Sequence, residues 1–152
     1  MALLTKVAGA QYPLSVVFSF NWDDTMLNTS SAATAFGAAT GTTFDIFYPP
    51  PGAIVIGGVV KVETLAAGST STVDIGDSDD TDRYTETGAI DLTDADAPAS
   101  GFEQLGDHKV YSGAQAIRLT IANGGALTAG KAHVVVNMIV PGRVNENLKT
   151  TA

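Results

Sequence analysis

Apolar side chains recur at every second position through most of this chain, and this spacing constrains the fold more than any other feature. Successive side chains of a β-strand point to opposite faces of a sheet, so the spacing gives a strand one apolar face. In the segment LSVVFSFNW, for example, Val16, Phe18, Phe20 and Trp22 fall on one face. The alternation therefore predicts strands that direct one face at a core.

Five further segments share this pattern and are separated by the turn-forming residues Gly, Pro, Ser, Thr, Asn and Asp. Their predicted inward residues are Phe44, Ile46 and Tyr48; Ile54, Ile56, Val60 and Val62; Val73 and Ile75; Ile117, Leu119 and Ile121; and Val134, Val136, Met138 and Val140. No segment has a helical crossover pattern. The sequence therefore predicts an all-β protein, an antiparallel β-sandwich or barrel. A jelly roll is the leading topology, and an immunoglobulin-like sandwich is the alternative.

The remaining segments divide the chain into three parts. Residues 1–13 lack a strong alternation and are predicted to form an extended N-terminal arm, residues 14–143 form the β-sandwich domain, and residues 144–152 form a polar tail. Within the domain, residues 28–41 are predicted to form a long loop, with a short helix around residues 31–36 as an option. The pair Gly57-Gly58 inside a strong strand predicts a bulge or the close approach of another chain.

Composition excludes several classes of protein. The 152 residues are 45% hydrophobic and include no cysteine, so disorder, disulfides and thiolate metal sites are not expected. The formal charge is −8, and eleven of the sixteen acidic residues lie between positions 74 and 107. Such a chain repels a phosphate backbone and an anionic membrane, so we expect neither nucleic acid nor membrane as a partner. We also expect no signal peptide and no transmembrane segment.

The acidic run TVDIGDSDDTDRYTE places five aspartates in nine positions and follows them with Arg83. An EF-hand calcium loop requires Asp or Asn at its fifth position and Glu at its twelfth, but counting from Asp77 gives Thr81 and Gly88 there. An irregular calcium site stays open. We favour a structured loop whose carboxylates cap backbone donors and pair with the arginine. Its predicted residues are Asp77, Asp80, Asp82 and Arg83.

No pattern in the sequence indicates catalysis. The adjacent pair Asp23-Asp24 would point to opposite faces of a strand, which does not suit a glycosidase pair. His108 and His133 lack a nucleophile-elbow serine, and the glycine-rich segments lack a phosphate-binding loop. We therefore predict that the protein is not an enzyme and has no catalytic residue, cofactor or metal ligand.

Three segments taken together resemble a known family. They are YPPPGAIVIGGVVKVET, STVDIGDSDDTDRY and HVVVNMIVPGRVNE, which occur in this order and comprise 45 of the 152 residues. The matching positions are Pro51, Gly52, Gly57 and Gly58; Gly76 to Ser78, Asp80, Asp82, Arg83 and Tyr84; and Gly142, Arg143, Asn145 and Glu146. The ordered set is similar to small virion structural proteins of tailed bacteriophages.

The resemblance implies a capsid decoration protein, also called a cement protein, located on the outer surface of the virion. Such proteins are small β-domains, often jelly rolls, that commonly form trimers on an expanded icosahedral shell. The implied partners are the major capsid protein and other copies of the chain, as a homotrimer. Residues 28–41 and the N-terminal arm depart from the family pattern, which leaves the mode of attachment open.

The N-terminal arm is the candidate segment for binding the capsid, because an apolar arm can add a strand to an exposed sheet edge. Its predicted contact residues are Leu3, Leu4, Val7 and Tyr12. A disordered terminus is the alternative for this segment. Three other functions stay open for the whole chain: a tail-associated or receptor-binding β-domain that binds glycans, a hydrolase that uses the acidic loop, and a calcium-stabilised adhesin-like domain.

Overall fold

The computed structural model describes residues 13–85, 90–94, 99–102 and 109–141. These residues form ten β-strands and one turn of 3-10 helix. The elements in chain order are β1 (Leu14–Asn21), β2 (Thr25–Leu27), β3 (Ala33–Ala35), the 3-10 helix (Phe36–Ala38), β4 (Thr40–Phe47), β5 (Ile54–Ala67), β6 (Ser71–Asp77), β7 (Ile90–Asp91), β8 (Ala99–Phe102), β9 (Ile117–Asn123) and β10 (Ala129–Ile139).

Eight of the strands form two four-stranded antiparallel sheets. The first sheet has the order β1-β10-β5-β8, and the second has the order β4-β9-β6-β7. The prediction of an all-β antiparallel sandwich is confirmed. Four of the pairs, β1 with β10, β4 with β9, β5 with β8 and β6 with β7, are nested in the sequence like the two arms of one long hairpin. This nesting is compatible with the predicted jelly roll.

The core lies between the inward faces of the two sheets. The fully buried aliphatic residues of β5 and β10 are Val55, Val60, Val134 and Met138, and those of β6 and β9 are Val73, Ile75, Ile117 and Leu119. At one end, aromatic rings from β1, the 3-10 helix and β4 close the sandwich. The ring of Phe36 lies 5.0 Å from that of Phe20 and 4.7 Å from that of Phe44, measured between centroids. Each such buried ring contributes about 2 kcal/mol through removal from water.

A bulge in β5 confirms one prediction and overturns another. The register with β10 shifts between the pairs Asn137–Gly57 and Met138–Val55, and Gly57 has a φ of 140°. A bulge inserts one residue, so it exchanges the inward and outward faces of the strand. The alternation after Gly57 is as predicted, with Val60 buried. Before the bulge, Val55 is buried and Ile56 is exposed, so the predicted face was wrong there.

The segment 28–41 was wrongly predicted as a loop. Part of it pairs with the preceding strand as the hairpin β2–β3, in which Met26 lies opposite Thr34. The helical turn follows this hairpin at Phe36–Ala38 and does not occupy residues 31–36. Trp22, predicted in the core, is 38% exposed. Its carbonyl accepts a hydrogen bond from the N–H of Gly37, so the end of β1 is connected to the helical turn.

The predicted arm residues Leu3, Leu4, Val7 and Tyr12, and the tail 144–152, lie outside the described residues. Their role and the predicted domain boundaries therefore stay predictions. Within the described ranges, no helix combines the length and the apolar character needed to cross a membrane.

Candidate functional site

The acidic run forms a folded loop at the end of β6, and a buried carboxylate lies at its centre. Asp77 is the last residue of β6, and its side chain has no solvent exposure. Its Oδ1 accepts hydrogen bonds from the backbone N–H groups of Asp79 at 2.8 Å and Asp80 at 3.1 Å. Short polar side chains at strand ends typically cap the following turn in this way. The carboxylate thus fixes the first turn of the loop.

The other carboxylate oxygen of Asp77 accepts hydrogen bonds from three charged or polar groups. Oδ2 lies 2.6 Å from Arg83 Nε, 2.9 Å from Lys109 Nζ and 3.0 Å from the hydroxyl of Tyr111. The hydroxyl of Tyr84 contacts that of Tyr111, and both rings are buried. A buried carboxylate is tolerated when its lone pairs are satisfied and its charge is compensated, and Asp77 meets both conditions.

Burial and pairing act in opposite directions on the acidity of these groups. Burial alone would raise the pKa of Asp77, but the hydrogen bonds from Lys109, the N–H of Asp79, Tyr111 and Arg83 together hold that pKa below its ordinary value. Burial raises the pKa of Tyr84 to about 12 and also raises the pKa of Tyr111. The cluster is therefore ionised at its carboxylate and neutral at its tyrosines around pH 7.

The backbone of the loop turns back onto β6. The N–H of Tyr84 donates to the carbonyl of Ile75 at 3.0 Å, and Thr85 Oγ1 accepts from the N–H of Ile75 at 3.0 Å. Gly76 lies under the loop, where a Cβ would collide with backbone atoms of Asp80 and Thr81. This close approach explains why a glycine is required one position before Asp77.

A second ion pair connects the loop to the neighbouring strands. Arg118 of β9 donates from Nε to Asp45 of β4 at 2.7 Å and from Nη1 to the carbonyl of Ser78 at 3.3 Å. Asp79 accepts from Lys109 at 2.7 Å and from Gln115 at 2.9 Å. These contacts join two strands and two loops, so the end of the sandwich is held by charge pairs as well as by packing.

The four loop residues named from the sequence do not all meet at one point. The ion pair joins Arg83 to Asp77, whereas Asp80 accepts from the N–H of Asp82 at 3.4 Å. Sequence reasoning missed Lys109 and Tyr111, which lie more than thirty positions from Asp77. Among the residues described, no group of three or more His, Asp or Glu side chains is arranged to hold a metal ion. The pinning role of Arg83 stays a prediction.

A separate polar cluster lies on the outer face of the first sheet. His133 of β10 contacts Ser19 Oγ through Nδ1 and Glu63 Oε2 through Nε2, both at 2.6 Å. Lys131 also contacts Glu63, at 2.8 Å. The hydrogen bonds from Lys131 and His133 lower the pKa of Glu63. The cluster joins three adjacent strands across a face exposed to solvent, where such pairs contribute little to stability.

Comparison with known proteins shows that this chain shares its fold with chains of solved structures. No protein-family model and no curated protein sequence matches the chain. It is similar to a chain of the cyanophage Pam1 capsid asymmetric unit, with a TM-score of 0.59 and 20% identity over 92% of this chain and 94% of that chain. It is also similar to a chain in the acidic stable capsid structure of the Helicobacter pylori bacteriophage KHP30, with a TM-score of 0.51 and 14% identity over 87% and 90% of the two chains. At these identities, the likeness establishes that the chain has the fold of two phage capsid components.

Proposed function

We propose that the protein is a structural component of a phage capsid, and specifically a decoration protein that stabilises the expanded head. The single observation that carries this proposal is the likeness to chains from two phage capsids, which extends over almost the full length of all three chains. A likeness of such extent is a match of whole domains.

The folded body suits a mechanical role. Two sheets pack over a core with fully buried aliphatic residues, and the acidic loop is held by Asp77 and its cationic partners. A protein that binds only the mature arrangement of shell subunits stabilises that arrangement by mass action and requires no reaction. Stiffness is useful here, because binding then costs little conformational entropy.

Charge favours the outer surface of the shell. A chain with a formal charge of −8 is repelled by the packaged DNA that lies against the inside of a head. The exposed carboxylates of Asp80 and its neighbours would face solvent or basic groups of the major capsid protein. We therefore assign the protein to the outside of the virion, at the junctions between capsid subunits.

The arm and the oligomer belong to the same proposal. The arm residues Leu3, Leu4, Val7 and Tyr12 would bind an exposed sheet edge of a capsid subunit. A homotrimer would attach through three such contacts at once, which strengthens weak individual contacts by raising the effective concentration. Deleting residues 1–12 should therefore weaken attachment to shells without changing the melting temperature of the domain.

Binding to purified shells tests the proposal. Full-length protein is mixed with expanded and with unexpanded shells of the parent phage, and the particles are imaged by electron cryomicroscopy. We expect additional density at subunit junctions on the outside of expanded shells only. Equal density on both kinds of shell would contradict the specificity for the mature lattice, and binding to neither would refute the decoration role.

One observation favours a tail-associated, glycan-binding domain as a second candidate. Trp22 is partly exposed and lines a shallow depression with Asp23 and Ala35. The apolar face of an exposed aromatic ring can pack against a sugar, and a carboxylate beside it can accept hydrogen bonds from sugar hydroxyls. Binding to a glycan array that disappears in Trp22→Ala would support this function, whereas no binding to any glycan would remove it.

A further inference from the structure

The outer face of the first sheet carries two rows of aliphatic side chains that cross its strands. In the first row, Val17 of β1 lies opposite Val135 of β10, which lies opposite Val59 of β5. In the second row, Ile139 of β10 lies opposite Ile54 of β5, which forms a bridge with Val110. We call these six residues the aliphatic face.

The six side chains point away from the core. Their neighbours in the chain, such as Val55, Val60, Val134, Val136 and Met138, are buried, and successive residues of a strand alternate between the faces. Val17 and Val110 are each 60% exposed. Ile56, next to the β5 bulge, is exposed as well. The bulge at Gly57 extends the aliphatic face, because it directs both isoleucines outward on the first half of β5.

Within each row, aliphatic side chains lie next to one another on adjacent strands, and the row of Ser15, Asn137 and Gly57 lies between the two. Isolated apolar residues on a surface are normal, but contiguous apolar patches mark interaction sites. Branched side chains such as valine and isoleucine also lose little conformational freedom when they are covered. The composition of the aliphatic face is thus suited to contact with another protein.

Charge identifies the partner. Beside the aliphatic face, the described side chains of β1, β5 and β10 include two lysines, Lys61 and Lys131, and one acid, Glu63, so this part of the sheet is slightly basic. The whole chain has a formal charge of −8, so the rest of its surface is strongly acidic. Lys61 takes part in none of the ion pairs formed by the described residues. An acidic partner surface complements this face, and a second copy of the chain offers one.

We propose that the aliphatic face is the surface through which one copy of this chain binds a second copy. The contact is between unlike surfaces, since a slightly basic apolar face meets an acidic surface elsewhere on the next copy. Contacts of this head-to-tail kind close into rings when the rotation between copies allows it. The inference rests on the proposed function, in which several linked copies of the chain attach to a shell together.

Sedimentation velocity of matched variants tests the inference. We expect the full-length protein to sediment as an oligomer and Val17→Asp to sediment as a monomer, with association weakened at least about tenfold, because the new carboxylate would meet an acidic surface. Leu27→Asp is the control, because Leu27 is 61% exposed on β2, outside the aliphatic face, and receives the same charge. The control should remain oligomeric. Val110→Asp is a second test of the same face, and unchanged circular dichroism establishes that each variant is folded.

The possible outcomes separate this inference from the proposed function. A monomeric wild-type protein, or an oligomer that persists in both Val17→Asp and Val110→Asp, would overturn the inference. If the wild-type protein is monomeric but binds expanded shells and Val17→Asp does not, the shell occupies the face and the inference is wrong. If the wild-type protein is an oligomer disrupted by these substitutions but binds no shell, the inference stands and the decoration role fails.

Discussion

Nε of Arg83 lies 2.6 Å from Oδ2 of Asp77, a carboxylate with no exposure to solvent. The two residues are six positions apart, and the intervening acidic loop closes over this contact. Lys109 reaches the same oxygen from a distant part of the chain, at 2.9 Å. The loop is therefore held from both sides around one buried negative charge.

Arg83→Ala should destabilise the protein by about 2 kcal/mol. The substitution removes one of two cationic partners of a buried carboxylate, and the remaining Lys109 limits the loss. Lys61→Ala is a suitable control, since an exposed lysine outside any described ion pair should change stability by less than about 0.5 kcal/mol. Urea unfolding measures both values. If Arg83→Ala and the control have the same midpoint, the arginine does not pin the loop.

Asp77→Asn should lower stability by about 3 kcal/mol at pH 7, because it leaves the partly buried cations Arg83 and Lys109 without the negative charge of Asp77. The pKa of Asp77 is lowered in the folded state, so ionised Asp77 stabilises the fold above the unfolded pKa of about 3.9. That contribution is lost as the pH falls through the folded pKa.

The difference in unfolding free energy between wild type and Asp77→Asn should therefore shrink as the pH is lowered from 5 to below the folded pKa. Denaturant unfolding at a series of pH values measures this difference. Asp80→Asn, at an exposed position of the same loop, should remain close to wild type throughout. If the stability difference between wild type and Asp77→Asn does not depend on pH, the carboxyl group of Asp77 is not selectively ionised in the folded state.

Alkaline pH should unfold the protein through its buried tyrosines. The pKa of Tyr84 is raised to about 12 and that of Tyr111 is also raised, so both rings stabilise the fold while they are neutral. This contribution is complete below the unfolded pKa of about 10 and is lost as the pH rises through the folded pKa values.

Absorbance at 295 nm, recorded together with circular dichroism, tests this expectation. Two of the four tyrosines should ionise only together with the loss of β-structure. Tyr84→Phe and Tyr111→Phe should each reduce the number of tyrosines that ionise in this late transition. Ionisation of all four tyrosines in a folded protein near pH 10 would contradict the buried hydroxyl contact.

Gly76→Ala should prevent the acidic loop from closing. An added Cβ would collide with backbone atoms of Asp80 and Thr81, which cannot rotate away as a side chain would. We expect a loss of at least about 3 kcal/mol or failure to fold. Gly125→Ala is the matched control, since its Cβ would approach only the side chain of Ser69, at 3.3 Å. Similar melting temperatures for the two variants would contradict the close approach of the loop to β6.

The fold class followed from the sequence because period-two alternation is a local signal. In β9 and β10 every predicted inward residue from Ile117 to Ile121 and from Val134 to Met138 is buried. The alternation of apolar residues no longer identifies the buried face where a bulge inserts one residue into a strand. The pair Gly57-Gly58 predicted a bulge. The prediction did not take into account that a bulge exchanges the inward and outward faces of the residues before it, and it therefore placed Ile56 in the core.

The acidic loop was only partly predictable for a different physical reason. Its short-range contact, Arg83 with Asp77, lies within one segment and is suggested by charge and spacing. The contacts of Asp77 with Lys109 and Tyr111 depend on how distant segments are brought together by the two sheets. No local pattern carries that information. The hairpin β2–β3 was missed because its strands have only three residues each, too few for an alternation to be recognised.

The release of DNA from heated phage heads tests the proposed stabilising role most directly. Expanded, DNA-filled heads that lack the protein are heated with and without added full-length protein, and the temperature of DNA release is followed with an intercalating dye. We expect added protein to raise the release temperature by several degrees, in a saturable manner. An unchanged release temperature at saturating protein would contradict the role in stabilising the head.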